Sequence, residues 1–239
     1  MAWPLLSMGR MDTRLVALAA DPRFIPGVYN YCDLWCAHCP LTSRCLLFAA
    51  ERLIPGHEQD RLEQRVAAAL DVAETMIGAS SPAIRGGAAL DAAPEHPSEP
   101  RGRHPLEFLS RHYATQVHAF LVSHLPDSDE PPPHGSALEV AGWFHLLLTA
   151  KISRALSSER AAAKDTPELA ADALGSAKVV LIGIDRSIAA WQSIAAEDPD
   201  ARIGGFVELL EALRTGMELH FPDAREFVRP GLDQTRGLD

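Results

Sequence analysis

Residues 178–185 read KVVLIGID, and this stretch decides whether the chain is all-α or α/β. A short apolar run of this kind that ends in an acid is typical of a buried strand in a nucleotide-binding α/β unit. The same residues also fit a helix that places Leu181, Ile184, Ile188 and Trp191 on one face. The chain offers no second strand to pair with it and no glycine-rich phosphate loop after a strand. The sequence therefore favours a helix here and an all-α fold.

Apolar residues recur at helical spacing on both sides of this stretch. Thr166 can cap a helix that begins with Pro167, and Glu168 in its first turn suits the helix dipole. Few segments have the alternating, β-branched pattern of strands. The further predicted helices are Leu41–Ile54, His57–Ile77, Leu106–Leu125, Ala137–Leu156 and Gly205–His220.

Stretches rich in Pro, Gly and Ser divide the chain into regions. Residues 1–78 are predicted to form a helical module that binds a metal through four cysteines, and residues 79–105 a flexible linker. Residues 106–228 are predicted to form a bundle of about four helices, interrupted by a loop at 126–135. Residues 229–239 are predicted to be a loose tail. The predicted architecture is an N-terminal cysteine-rich module followed by a helical bundle.

The overall charge and hydropathy exclude several functions. The 239 residues have a formal net charge of -10, and no basic stripe is interleaved with aromatic residues, so nucleic-acid binding is not expected. The apolar stretches Ala137–Ala150 and Val179–Ile184 are shorter than the ~20 residues of a membrane helix. The first residues do not make a convincing secretory signal. We therefore expect a soluble cytoplasmic protein without a membrane partner, and the oligomeric state stays open.

All four cysteines of the chain lie close together, at Cys32, Cys36, Cys39 and Cys45, with gaps of three, two and five residues. The first three have the spacing of one helical face, so they could be small apolar core residues. Two disulfides would suit a small secreted domain, which this chain does not resemble. Metal ligation explains the concentration best, because a metal needs several thiolates from one short loop.

A plausible local structure for such a site follows from the spacing. A turn of helix through Cys32, Cys36 and Cys39 would aim three sulfur atoms to one side, and Pro40 would end that turn. Cys45 would return on the first turns of the next helix, capped by Thr42 or Ser43, where the helix dipole favours a thiolate. Residues that would shield the centre from water are Tyr29, Tyr31, Leu34, Trp35, Leu41 and Leu46.

The spacing favours a [4Fe–4S] cluster over zinc. Zinc sites usually join two C-x2-C pairs, and only Cys36 and Cys39 have that spacing. A compact run of four cysteines, one followed by proline as in Cys39-Pro40, is more typical of a cubane cluster. The first two gaps also resemble the C-x3-C-x2-C pattern of radical S-adenosylmethionine enzymes, which implies a β/α barrel with one open iron position. The chain lacks the alternating strands and helices of that barrel, and Cys45 is placed to fill the open position.

Three functional hypotheses follow. The first is an iron–sulfur protein that transfers electrons to a protein partner or carries out redox chemistry. The second is a structural zinc module on a helical binding domain. The third is a helical-bundle enzyme that uses His112, His118, His145 or the Asp185-Arg186 pair, with the cysteines as scaffold.

Two further expectations concern side chains of the bundle. His145 lies among apolar residues and is expected to be a satisfied core residue. Asp185, beside Arg186 in an apolar helix, would need a partner if buried, and a structural ion pair is expected there. Lys151, Arg154 and Arg186 could converge on an anion if their helices are neighbours. The remaining histidines of interest, His96, His104 and His134, lie in polar linkers and are expected to be exposed.

Overall fold

A computed structural model describes residues 8–53, 104–124, 135–162 and 166–233. Within these ranges the regular structure is helical and no strand occurs, which confirms the all-α prediction for this part of the chain. The α-helices are α1 Met8–Ala19, α2 Leu46–Glu51, α3 Pro105–His124, α4 Ala137–Ala162, α5 Pro167–Glu197 and α6 Ala201–His220. Short 3-10 helices span Val28–Tyr31, Cys36–His38 and Thr42–Arg44.

The predicted helices of the bundle agree closely with the observed ones. The ambiguous stretch 178–185 lies inside α5, so its assignment to a helix is confirmed. α5 begins at Pro167 as predicted, but the Thr166 side chain makes no capping hydrogen bond. The Thr166 backbone carbonyl instead accepts hydrogen bonds from the N–H groups of Leu169 and Ala170. The predicted helix His57–Ile77 and most of the predicted linker and loop lie outside the described residues.

The chain divides into two compact units. Among the described residues, the first unit contains 8–29 and 36–53, and the second contains 30–35 and 104–233. The expectation of a separate N-terminal cysteine module is not confirmed, because Cys32 belongs to the second unit and the other three cysteines to the first. The predicted domain boundaries stay a prediction.

In the first unit, α1 and α2 contact each other. The Ile25 backbone N–H donates a hydrogen bond to the Arg44 carbonyl at 3.0 Å, which ties the loop after α1 to the turn before α2. Among the residues of this unit that the structure describes, those buried are Val28, Leu41, Cys45 and Ala50.

The second unit is a bundle of the four helices α3 to α6, in which α4 packs along α5. Gly183 permits this close approach, since a Cβ atom there would lie 2.8 Å from Phe144 and 2.9 Å from Leu148. The Trp191 indole N–H donates to the Tyr113 hydroxyl at 3.0 Å in the interior. Burial raises the pKa of Tyr113 to about 12, so this hydroxyl keeps its proton. The largest side chains of this core are Trp191, Tyr113, Phe144 and Phe206.

Helix α5 is also the one described helix long and apolar enough to cross a membrane by length and composition. Half of its apolar window is buried inside the structure, and the core helix of a folded domain passes the same test. The cytoplasmic location and the absence of a membrane partner therefore stay predictions.

Candidate metal centre

The cysteine-bearing stretch is not one helix. Cys32 lies in a bend, residues 33–35 are irregular, Cys36 begins a 3-10 turn and Cys39 follows that turn. Leu34 adopts a positive φ of 56°, which an α-helix does not permit. The predicted turn of helix through Cys32, Cys36 and Cys39 is therefore wrong. The interpretation of these cysteines as one apolar helical face loses its basis for the same reason.

In the first unit, Cys36 and Cys39 bracket a tight turn. The Cys39 N–H donates to the Cys36 carbonyl at 3.2 Å, and the Leu41 N–H donates to the Cys39 sulfur at 3.4 Å. A backbone N–H that points at a sulfur atom stabilises the thiolate form and tunes iron–sulfur sites. Cys39 therefore has an environment that suits a ligand.

Cys45 is the N-cap residue of α2 and is 9% exposed. Its backbone is extended, and its carbonyl accepts a hydrogen bond from Ala49 at 3.1 Å. The predicted cap by Thr42 or Ser43 is wrong, because these two residues form a 3-10 turn that ends before Cys45. Cys45 thus ends a turn and begins a helix.

All four cysteines carry thiols and none forms a disulfide, so the disulfide interpretation has no support. In the part of the chain that the structure describes, no group of three His, Cys, Asp or Glu side chains is arranged to hold a metal ion. The metal site therefore stays a prediction from the cysteine spacing and from the local geometry of each cysteine.

The second unit holds Asn30–Trp35, called here the docked segment, through its backbone carbonyls. The Lys151 ammonium donates to the Asn30 carbonyl at 3.1 Å. The Trp143 indole N–H donates to the Asp33 carbonyl at 2.9 Å. Both donors belong to α4, so this helix fixes the backbone on each side of Cys32.

Aromatic contacts hold the end of the docked segment. Trp35 is 9% exposed and stacks on Trp143, with 5.4 Å between ring centroids and 11° between planes. Its ring also meets the Phe144 ring edge-on at 5.9 Å. Such aromatic pairs contribute ~0.5–1.5 kcal/mol beyond the area they bury.

Tyr31 anchors the beginning of the segment. Its ring lies against Phe227 with a centroid distance of 5.2 Å, and a Cβ atom on Gly175 would overlap it. The Arg229 guanidinium also donates to the Tyr31 carbonyl at 3.4 Å. The absence of a side chain at Gly175 therefore lets Tyr31 sit directly on α5.

The three cations that the sequence allowed to converge on an anion all contact the docked segment, and convergence on a bound anion stays a prediction. Lys151 binds the Asn30 carbonyl, Arg154 donates to the Asn30 amide oxygen at 3.4 Å, and Arg186 pairs with Asp33 at 2.7 Å. Two of these cations are matched by carboxylates, since Arg154 also pairs with Asp172 and Arg186 pairs with Asp33.

The residues of the enzyme hypothesis form separate groups. The rings of His118 and His145 stack with 5.9 Å between centroids. His112 is exposed, and its Nε2 atom lies 2.9 Å from the side-chain nitrogen of Gln116 on the same helix. Asp185 pairs with Arg225 at 3.0 Å, while Arg186 pairs with Asp33. Asp185 and Arg186 therefore both take part in structural ion pairs, as expected, each with a partner elsewhere in the chain.

One polar group was not anticipated from the sequence. His104 is half-buried, and its ring lies edge-on to His220 at 4.8 Å. The Nε2 atom of His220 is 2.7 Å from the Glu159 carboxylate. The expected exposure of His104 is therefore wrong, because the sequence places it in a polar linker while the fold packs it on α6. His96 and His134 lie outside the described residues.

His145 is buried, with 6% exposure, and only one of its ring nitrogens is satisfied. Its Nδ1–H donates to the Gly142 carbonyl at 2.6 Å, and its Nε2 has no hydrogen-bond partner among the residues that the structure describes. Burial lowers the pKa of His145, the bond to Gly142 opposes this, and His118 adds repulsion. The neutral ring is therefore the form that the fold prefers.

Replacing His145 with methionine is expected to flatten the pH dependence of stability below about pH 6.5. Because the folded-state pKa is below the unfolded-state value, the neutral imidazole favours the fold above about pH 6.5, and this contribution is lost as the pH falls through the lowered pKa. The effect is at most ~1.4 kcal/mol per pH unit for one proton. Urea unfolding between pH 7 and pH 5 measures it.

The matched control is His112→Met, which removes an exposed imidazole from α3. His112→Met should show the same dependence of stability on pH as the wild-type protein. A profile for His145→Met that is as steep as that of the control would contradict the assignment of this pH dependence to His145.

Comparison with known proteins gives no assignment, since the chain matches no family model, no curated protein and no solved structure. The functional argument therefore rests on the residues of this chain. The signals that carry it are the cysteine spacing and the contacts of the docked segment.

Proposed function

We propose that Cys32, Cys36, Cys39 and Cys45 bind one metal centre, a [4Fe–4S] cluster that serves electron transfer or redox chemistry. The observation that carries this proposal is the confinement of every cysteine of the chain to the stretch between Cys32 and Cys45. Four thiolates are the usual ligands of such a cluster. When bound, the cluster would exchange an electron with a protein partner, and the cysteines would hold it in place.

Chain length permits the four ligands to meet. Three residues separate Cys32 from Cys36, so their Cα atoms lie within about 14 Å in any conformation. Only two residues separate Cys36 from Cys39, on a turn that the backbone already closes. These short connections leave little freedom for the thiolates to lie far apart.

The local environments of individual cysteines support ligation. The Cys39 sulfur accepts a backbone N–H, and Cys45 is buried although it forms no disulfide. Trp35 and Leu41, two residues expected to exclude water from the centre, are also buried. Leu34, a third residue expected to exclude water, is exposed in contrast.

A structural zinc ion is the second candidate. The tight turn between Cys36 and Cys39 has the spacing of a zinc knuckle, and zinc accepts the same four thiolates. In this case the metal would stabilise the fold of the cysteine stretch, and a chelator would lower the thermal stability. The enzyme hypothesis has weaker support, because its histidines and its Asp185-Arg186 pair do not share one site.

Anaerobic purification followed by iron, sulfide and zinc analysis tests the proposal. We expect about four iron and four sulfide per chain and broad visible absorption in the wild-type protein. Cys39→Ser should lose both the metal and the absorption. Ser43→Ala, a change in the same loop that removes no thiol, should retain them.

The other results discriminate between the candidates. One zinc per chain without visible colour would replace the cluster by a structural zinc ion. A protein without iron, sulfide or zinc after anaerobic purification would rule out both, and a Cys39→Ser protein with the full metal content would remove Cys39 from the ligand set.

A further inference from the structure

We propose that Cys36 and Cys39 form a dithiol that a low-molecular-weight disulfide oxidises to an intramolecular disulfide when the chain carries no metal. This adds a thiol–disulfide exchange activity to the cysteine stretch. It goes beyond the proposed metal site and does not depend on it, because the reaction is that of the metal-free chain.

The turn between the two cysteines already brings their backbones together. Cys36 begins the 3-10 helix Cys36–His38, and the Cys39 N–H donates to the Cys36 carbonyl at 3.2 Å. A turn closed by such a bond keeps its first and fourth Cα atoms within about 7 Å of each other. A disulfide joins Cα atoms about 4.4–6.8 Å apart, so the backbone of this turn suits a bond between the two sulfur atoms. The two-residue spacing is also that of the Cys-X-X-Cys motifs of disulfide oxidoreductases.

The same turn is open to a small reactant. Ala37 and His38, which lie between the cysteines, are exposed, and Cys36 and Cys39 are half-buried. The Leu41 N–H donates to the Cys39 sulfur at 3.4 Å, which fixes the direction of this side chain at the end of the turn. A disulfide such as oxidised glutathione can therefore reach this pair from the solvent.

The other two cysteines are less suited to this reaction. Cys45 is 9% exposed and follows Cys39 by six positions, so a small disulfide reaches it less easily. Between Cys32 and Cys36 the backbone is irregular, with a positive φ of 56° at Leu34. The structure thus favours Cys36 and Cys39 as the reacting pair.

The reaction proceeds in two exchange steps. The thiolate of one cysteine attacks a sulfur atom of the small disulfide, which forms a mixed disulfide and releases one small thiolate. The second cysteine then attacks the protein sulfur of the mixed disulfide, which forms the bond between Cys36 and Cys39 and releases the second small thiolate. The protein loses two electrons to the small disulfide, and the two protons of the protein thiols pass to the two released thiols.

Oxidation of this pair would also control the cysteine stretch. A metal is bound by thiolates, and the disulfide removes two of the four that the chain offers. Oxidation of the turn and metal binding by all four cysteines therefore exclude each other.

The test uses the full chain, freed of metal, reduced, and then incubated with oxidised glutathione in the absence of oxygen. Acid stops the exchange, N-ethylmaleimide then labels the remaining thiols, and fragmentation of the labelled peptides in a mass spectrometer locates them. We expect the wild-type protein to lose two of its four thiols, to carry labels on Cys32 and Cys45, and to retain no glutathione.

Two serine variants serve as a matched pair, because each leaves three cysteines. Cys36→Ser removes the partner of Cys39 and should retain one glutathione as a mixed disulfide. Cys45→Ser should still lose the thiols of Cys36 and Cys39 without retaining glutathione.

Three results would overturn the inference. They are a wild-type protein with labels on all four cysteines, one that loses the thiol of Cys32 or Cys45 in place of this pair, and one that retains glutathione because the second exchange step fails. Each of these results leaves the proposed function untouched, since the experiment contains no metal. Failure of the proposed function would instead appear in the metal analysis of the purified protein.

Discussion

Replacing Trp35 with alanine is expected to lower the free energy of unfolding by about 3–5 kcal/mol and to reduce the metal content of the protein. Trp35 is 9% exposed, stacks on Trp143 and meets the edge of Phe144. Its removal leaves a cavity against α4 and frees the end of the docked segment. Since Cys32 lies in that segment, its thiolate would be held less firmly for a metal.

Urea unfolding and metal analysis of the purified variant measure the two effects. Leu34→Ala is the control, because Leu34 is adjacent in sequence but 39% exposed. It should change stability by much less than Trp35→Ala and keep the metal. If Trp35→Ala retains wild-type stability, then the docked segment is not held by this aromatic stack.

Replacing Trp191 with alanine is expected to lower the free energy of unfolding by a similar amount, about 3–5 kcal/mol. This change affects the bundle and not the cysteine stretch. Trp191 is fully buried, with its ring 5.3 Å from that of Phe120 and 4.8 Å from that of Phe206. The change also leaves the Tyr113 hydroxyl without its indole donor. Thermal or urea unfolding followed by circular dichroism measures the loss.

Trp191→Phe separates packing from hydrogen bonding in this core. Phenylalanine keeps an aromatic ring between the two neighbouring phenylalanines but cannot donate to Tyr113. We expect a loss of about 0.5–1.5 kcal/mol, the net contribution of one hydrogen bond, because the Tyr113 hydroxyl keeps its hydrogen bond with Ser187. A loss for Trp191→Phe as large as that for alanine would contradict the packing account.

The helices of the bundle could be predicted because their signals are local. Thr166 and Pro167 mark the beginning of α5. The apolar residues Leu181, Ile184 and Trp191 recur at the spacing of one helical face. The stretch 178–185 was ambiguous only because its apolar residues suit both a strand and a buried helix. The lack of a partner strand elsewhere in the sequence resolved it correctly.

The structure of the cysteine stretch could not be predicted in the same way. The spacing of Cys32, Cys36 and Cys39 fits a helix, but contacts with residues far along the chain determine the conformation. The Asp33 carbonyl binds Trp143, 110 positions away, and such a contact leaves no local pattern. The positive φ of Leu34 is equally invisible, since leucine rarely adopts it.

The convergence of cations on this stretch was predicted only as a possibility. Lys151, Arg154 and Arg186 lie on two helices, and the sequence cannot say that these helices are neighbours. Nor does it show that Lys151 is buried, since its acceptor, the Asn30 carbonyl, is 121 positions away. These positions become informative only when the packing of α4 on α5 is known.

Mass spectrometry of the anaerobically purified protein under non-denaturing conditions tests the central claim most directly. It compares the mass of the intact protein with the mass of the same chain after acid denaturation, and so counts what is bound to each molecule. The account predicts a difference equal to four iron and four sulfide for the wild type, and no difference when all four cysteines are serine. A native mass equal to that of the bare chain would contradict the claim that these cysteines hold a metal centre.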